Sequence, residues 1–217
     1  EQMIDVRMFT VGPVQENCYI VRAKGSDHGL IVDPGDEAER LLAAVDGLGI
    51  TSVDAILLTH THFDHVGAVA PVAKATGAPV YCPELETVVL ANIMDFVPWP
   101  GFGPFESYEA DHTVAGSETL ELAGLTLDVI FTPGHSPGHV TYAIRDEDAL
   151  FSGDVLFQGS VGRVDLPGGH WPTLLASIEK LTSTYSPETT VYPGHMGITT
   201  LGRERATNPF LRELAER

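Results

Sequence analysis

The chain has 217 residues, enough for one sizeable core and borderline for two. Its 12 Lys plus Arg against 30 Asp plus Glu leave a formal net charge of −18, which argues against nucleic acid or an anionic membrane surface as a partner. No apolar run approaches the roughly eighteen residues of a transmembrane helix, no basic-then-apolar leader opens the chain, and two distant cysteines outside any CxxC pair (Cys18 and Cys82) fit a reducing, cytoplasmic setting.

In chain order, "NCYIVRA" (Asn17 to Ala23) and "GLIVDPG" (Gly29 to Gly35) read as strands joined by a turn at Gly25 to Asp27. The "DPG" breaks the second strand. Asp36 is placed to cap a helix over roughly Glu37 to Leu48, whose apolar face holds Leu41, Leu42, Val45 and Leu48. "DAILLT" is a short buried strand. A helix follows over Val66 to Thr76, closed by Gly77, and then the strand "APVYC". Glu84 to Gly103 reads as a helical start followed by an irregular aromatic loop with Phe96, Trp99 and Phe102, which either packs over a sheet edge or walls a pocket. From Glu118 the pattern turns to short strands: "ETLELAG", "LTLDVIFTPG", "HVTYAI" and "DALFSGD". Trp171 to Thr182 is a helix, "TTVYPG" a strand, and Thr200–Thr207 and Pro209–Glu216 are helical. No short repeat and no linker divides the chain, so one domain over residues 1–217 is expected, with two sheets between outer helices.

The chemistry concentrates where strands end. "LLTHTHFDHVGAV" (Leu57 to Val69) places His60, His62, Asp64 and His65 just after a buried run. His60 and His62 are two apart, which in extended backbone points both imidazoles the same way. His135 follows "LDVIF", Asp154 follows "LFSG", and His195 follows "TTVYPG". A lone histidine is usually structural. Five histidines and two carboxylates recurring in one local context form a donor set suited to zinc or another borderline ion. Three histidines suffice for one ion, two further ligands for a second, and a carboxylate for a bridge between them.

These residues carry a resemblance. "THTHFDHVG" is similar to the THxHxDHxG signature of the metallo-beta-lactamase superfamily, and "TPGHSPGH", "SGDVLF" and "VYPGH" match its later segments in order. The resemblance implies an α/β fold, the αββα four-layer sandwich of the metallo-beta-lactamase type. It implies His60, His62 and His135 on a first metal, Asp64, His65 and His195 on a second, and Asp154 bridging. Within the superfamily the chain most resembles the glyoxalase II group, the hydroxyacylglutathione hydrolases, in their short single-domain bacterial form. "GDVLFQGSVGRVDLPGG" (Gly153 to Gly169) is similar to that group's GDTLFxGxxGRxDxPGG block, and "TTLGRERATNPFL" (Thr199 to Leu211) to its tail. Two departures stand out. The group's GHGP is "GHMG" here, so Met196 either lines the pocket beside His195 or packs against the aromatic loop. No basic helical extension for glutathione follows "NPFL", which leaves Arg163 and Arg203 as candidate anion contacts.

The function implied is hydrolysis of a small acyl thioester, S-lactoylglutathione-like, by a hydroxide bridging two divalent ions. Zinc is expected, with iron or manganese as alternatives. Asp64 and Asp154 are the candidate catalytic carboxylates, Asp64 by hydrogen-bonding the hydroxide and Asp154 by fixing the metal pair. The partner expected is a small-molecule thioester, and the protein itself a monomer or small homo-oligomer. The alternatives are a persulfide dioxygenase holding one iron with His60, His135 and Asp154, and a lactone hydrolase. A metal module without open coordination positions is a further, non-enzymatic alternative. His139 is a candidate second-sphere residue, and His28, His112 and His170 are expected to be structural.

Overall fold

The computed structural model describes residues 3–216. The first sheet takes its strands in chain order: β1 (Ile4–Val11), β2 (Glu16–Ala23), β3 (His28–Val32), β4 (Ser52–Leu57), β5 (Val80–Pro83) and β6 (His112–Val114). The first three are antiparallel, and β3 through β6 are parallel. Parallel neighbours require crossovers. Here they are α1 (Ala38–Gly47), then α2 (Phe63–Val66) and α3 (Val69–Thr76), then α4 (Thr87–Ala91) between two 3-10 turns.

The second sheet begins as an antiparallel meander of β7 (Thr119–Leu122), β8 (Leu125–Phe131), β9 (Val140–Ile144) and β10 (Ala149–Gly153). A two-stranded hairpin, β11 (Leu156–Phe157) and β12 (Ser160–Val161), and the helix α5 (Trp171–Thr184) then return the chain to β13 (Thr190–Pro193), parallel to β10. β14 (Thr199–Thr200) closes this sheet beside β13, and α6 (Leu201–Thr207) and α7 (Arg212–Ala215) follow.

Strand alternation sorts the apolar side chains into three cores. On β2, Tyr19 and Val21 point between the sheets, and Cys18 and Ile20 point at α1 and α3. On the facing sheet Val129, Tyr142 and Phe151 fill the space between sheets, while Ala143, Leu150 and Val191 pack beneath Leu174, Ile178 and Leu181 of α5. Four layers result, helix–sheet–sheet–helix, as the α/β αββα reading expects. Among the described residues no helix is long and apolar enough to cross a membrane.

Among the local features that differ from the sequence reading are the short strands β6, β11, β12 and β14, which it did not contain, and three others. β1 was not expected, because its run "IDVRMFTV" interleaves charge and is half exposed at the sheet edge. Asp36 does not cap α1. Glu37 takes the N-cap position in left-handed backbone (φ 54), and Asp36 Oδ1 accepts from the adjacent Glu37 N–H at 2.6 Å. The helix expected over Val66 to Thr76 is two helices, α2 and α3. Ala68 N–H donates to Pro34 O at 3.0 Å, outside either helix, where the break lets the backbone close on the end of β3. That contact is tight: a Cβ at Gly35 would lie 1.8 Å from the Asp64 carbonyl oxygen, so only glycine fits there.

Candidate metal centre

Every candidate ligand sits where a strand surfaces on one edge of the sandwich. The chain leaves β4 through buried Thr59, His60 and Thr61. His62 is in extended backbone and opens α2, whose single turn carries Asp64 and His65. His135 lies in the turn between β8 and β9. Asp154 follows β10 directly, and His195 follows β13 across Gly194. Gly194 is required by crowding, since a Cβ there would meet Asp154 Oδ1 at 2.3 Å and His65 Cε1 at 2.5 Å.

The structure brings all seven residues together in two groups. His60, His62 and His135 present donor atoms within 4.8 Å of one another, and so do Asp64, His65, Asp154 and His195. In the first group His62 Nδ1 is 2.9 Å from His135 Nε2. In the second, His195 Nε2 is 3.0 Å from Asp64 Oδ2, and His65 Nε2 is 3.0 Å from Asp154 Oδ1. Asp154 also faces the first group: its Oδ2 lies 3.2 Å from His135 Nε2 and 3.8 Å from His60 Nε2.

The donors fit divalent metal. His60 Nε2 is buried with no hydrogen-bond partner, and His65 Nε2 and Asp154 Oδ1, though 3.0 Å apart, face each other outside hydrogen-bond geometry, a costly arrangement unless something else is bound there. For nitrogen and oxygen donors about 2.0–2.1 Å from a tetrahedral zinc, the donors themselves lie roughly 3.3 Å apart, and the separations here, from 2.9 Å (His62 to His135) to 3.8 Å (His60 to Asp154), bracket that value.

The rear nitrogens of four histidines are held by oxygens, which directs their other nitrogens inward. Thr59 Oγ1 gives its proton to Asp33 Oδ2 at 2.7 Å and therefore accepts from His60 Nδ1 at 2.9 Å. His65 Nδ1 lies 2.9 Å from Asp33 Oδ2. His135 Nδ1 donates to Arg163 O at 2.7 Å, and His195 Nδ1 to Gln15 O at 3.2 Å. His139, a candidate for supporting the ligands, touches the Asp154 backbone: Asp154 N–H donates to its Nε2 at 3.1 Å, and its Nδ1 lies 3.0 Å from Thr132 Oγ1.

Sequence reasoning missed Asp33, Glu86 and Glu16. Glu86 is buried and joins the two ligand loops of the first group. Its Oε1 accepts from Thr61 N–H and Oγ1 at 2.9 and 3.0 Å, and its Oε2 from Ser136 Oγ and Gly138 N–H at 2.7 and 3.0 Å. Glu16 lies fully buried with its Oε1 3.5 Å from His65 Nδ1. Their neighbours in sequence look like ordinary turns, so spacing gave no signal for any of the three. His112 and His28 lie away from the site, one against Tyr81 and the other on Asp54. His170 opens α5 with its ring on Thr173 Oγ1.

Charge divides the cluster. Burial, then the neighbouring His65, pushes His60 well below the ordinary histidine range, and burial with His135 takes His62 to about 4. Burial also disfavours the charged forms of His65 and His195, yet the Asp154 and Asp64 carboxylates outweigh it, raising His65 well up and His195 to about 10. The same pairs hold Asp154 far down against its own burial. In the first group His60 and His62 thus offer neutral nitrogens, and the second group is a pocket of carboxylates balanced by protons that a cation can displace.

A cavity of about 780 Å³ opens over both groups, and His62, Asp64, His135, Asp154 and His195 line it. Its walls come from the aromatic loop after α4 and the segment after β12. Arg163 is among the lining residues and Arg203 is not. Both cysteines are free and buried outside the cavity lining, with thiols held protonated by burial.

Residues 11–195 match the family described as "Metallo-beta-lactamase superfamily". The chain is 41% identical to the probable metallo-hydrolase YqgX of Bacillus subtilis, over 94% of this chain and 96% of that one. It is 31% identical to the hydroxyacylglutathione hydrolase GloC of Haemophilus influenzae, over 96% and 98%. A crystal structure titled BLEG-1 B3 metallo-beta-lactamase superposes with a TM-score of 0.89 at 39% identity, covering 95% of this chain and 99% of that one.

Proposed function

The chain belongs to the metallo-beta-lactamase superfamily, and from that premise we propose that it is a metal-dependent hydrolase of acyl thioesters working with two divalent ions. The observation that carries this reading is the paired donor cluster, with Asp154 facing both halves, at the floor of an open cavity. His60, His62 and His135 would hold one ion and Asp64, His65 and His195 the other, with zinc the expected metal and iron or manganese the alternatives. Bound ions of this kind supply a Lewis acid for a carbonyl oxygen and a water that ionises near neutral pH.

The chain's own residues supply the rest. Asp64 lines the cavity with Oδ2 against His195, so its carboxylate is placed to orient a water and accept its hydrogen bond. A thiolate leaving group has a conjugate acid of pKa about 8.5 and departs without a protein acid. Among the described lining residues there is no lysine or tyrosine to act as one. The similarity to GloC supports the thioester bond as the target. The similarity to BLEG-1 supports a second reading, hydrolysis of a β-lactam amide, which attacks the same kind of carbonyl.

Metal content per chain, measured by plasma mass spectrometry on protein made without added metal, should be about two divalent ions. The loaded protein should hydrolyse thioesters far faster than a chromogenic cephalosporin. Asp64→Ala should lose that activity by at least about 100-fold, in line with a general base or water-positioning group. Near-wild-type hydrolysis by this variant would overturn the mechanism. One iron per chain with oxygen uptake on a persulfide would replace it with a dioxygenase.

A further inference from the structure

The mouth of the cavity is apolar on a strongly acidic protein. Leu85, Phe96, Trp99 and Met196 line it, yet they are 63%, 49%, 38% and 54% exposed. Exposed apolar residues gathered on one concave surface mark a binding site. The charged groups point the same way. Arg163 is the one lysine or arginine among the described lining residues. Its Nε and Nη2 donate to Asp165 at 2.6 and 2.8 Å, and its guanidinium lies 5.1 Å from the centre of the Trp99 ring. Its charge is therefore already partnered by a carboxylate and its ring-facing side by Trp99. Asp95 adds a carboxylate to the lining.

Met196 gives a second, independent observation. Its backbone is left-handed, with φ 68, where glycine is at ease and a side chain is strained. Its carbonyl accepts from Asn17 Nδ2 at 2.8 Å, which holds that conformation in place. The strained position projects a flexible apolar side chain at the cavity mouth, next to the candidate ligand His195. Strain kept where glycine would relieve it points to a use for the side chain.

We propose that the substrate is a thioester whose acyl part is an uncharged apolar chain of several carbons, lying along Leu85, Phe96, Trp99 and Met196, and that Met196 is a specificity-determining residue. This rests on the thioester reading of the metal centre. Beyond the metal centre, Arg163 is the one cationic side chain among the described lining residues that could meet an anionic carrier such as glutathione.

The test uses the metal-loaded protein and N-acetylcysteamine thioesters, whose carrier is neutral, with acetyl, butyryl, hexanoyl and octanoyl chains, beside S-lactoylglutathione. Each buried methylene is worth up to about fourfold, so kcat/KM for octanoyl should exceed that for acetyl by at least about tenfold. A flat chain-length profile, or a preference for S-lactoylglutathione over octanoyl, overturns the proposal. Met196→Gly should lower the octanoyl-to-acetyl ratio at least about threefold, and Met196→Leu should keep it, since a side chain of similar volume covers the same surface. An unchanged ratio in the glycine variant removes Met196 from the proposal. Calorimetry with non-hydrolysable octyl and ethyl thioethers of N-acetylcysteamine separates the two layers. If no thioester is hydrolysed, the function proposed above fails, while tighter binding of the octyl compound still supports the apolar chain and equal binding overturns it.

Discussion

Asp33 decides how the candidate ligands stand without being one of them. At the end of β3 its Oδ1 accepts from Thr59 N–H at 2.8 Å, and its Oδ2 meets both Thr59 Oγ1 and His65 Nδ1. One carboxylate thus orients His65 directly and His60 through a hydroxyl. Asp33→Ala should weaken metal binding by about 10–100-fold, the usual cost of losing such a partner, as read by competition with a chromophoric chelator; unchanged affinity would show that packing alone orients the rings. In the sequence Asp33 sits in "VDPG" and Glu86 in "PELET", where an acidic residue at a turn is unremarkable. The candidate ligands were legible because their pattern recurs at four strand ends, and the residues that orient them were not, because each is a single residue whose partner is distant in the chain. Asp165 supplies a prediction in pH. The hydrogen bonds from Arg163 draw its carboxyl down from 3.8 to about 2. The folded value is the lower one, so the pair's contribution to stability is full above about 3.8 and is lost as pH falls toward 2. Carboxyl NMR should place the wild-type midpoint near 2 and return it toward 3.8 in Arg163→Ala. A wild-type midpoint already near 3.8 would mean that water screens the exposed pair.

At the scale of elements, α5 is the clearest case of sequence setting packing. Leu174, Leu175, Ile178 and Leu181 recur at helical spacing and are all buried, against Leu150 and Val191 of the second sheet. Ile178 is fully buried. Ile178→Ala should cost about 2–5 kcal/mol in urea unfolding, with the metal-to-chain ratio of the folded protein unchanged, since α5 holds no candidate ligand. A loss below about 1 kcal/mol would mean the layer collapses around the gap. The buried strands were legible for the same reason, as short apolar runs ended by glycine and proline. β1 was not, because an edge strand with one exposed face tolerates Asp5 and Arg7. The hairpin β11–β12 was not, because two-residue strands carry no period. The break between α2 and α3 was hidden for a different reason: local propensity favours one helix, and the contact with Pro34 and Gly35 on β3 overrides it.

Across the whole molecule the candidate ligands come from both sheets. His60, His62, Asp64 and His65 follow β4 of the first sheet, and His135, Asp154 and His195 follow β8, β10 and β13 of the second. The protein already ties the sheets at this edge. Tyr19 OH donates to Pro193 O at 2.6 Å, Asn17 Nδ2 to the same oxygen at 3.1 Å, and Tyr142 OH to Leu58 O at 2.8 Å. Metal bound between these loops would join the two sheets only in the native state, because the unfolded chain scatters the seven donors. Such binding stabilises by linkage, roughly 4 kcal/mol for one site when free metal exceeds Kd about a thousandfold. Removing the metal with a chelator should therefore lower the unfolding free energy by an amount of that order, read as a urea midpoint lower by that free energy divided by the m-value, with the m-value itself nearly unchanged, since the surface exposed on unfolding stays the same. Asp154→Asn should shrink the gap between loaded and stripped protein more than His195→Ala does, because Asp154 faces both groups and His195 only the second. Identical midpoints for loaded and stripped protein would mean that the hydrogen bonds between the sheets already hold this edge, and that metal serves the chemistry alone.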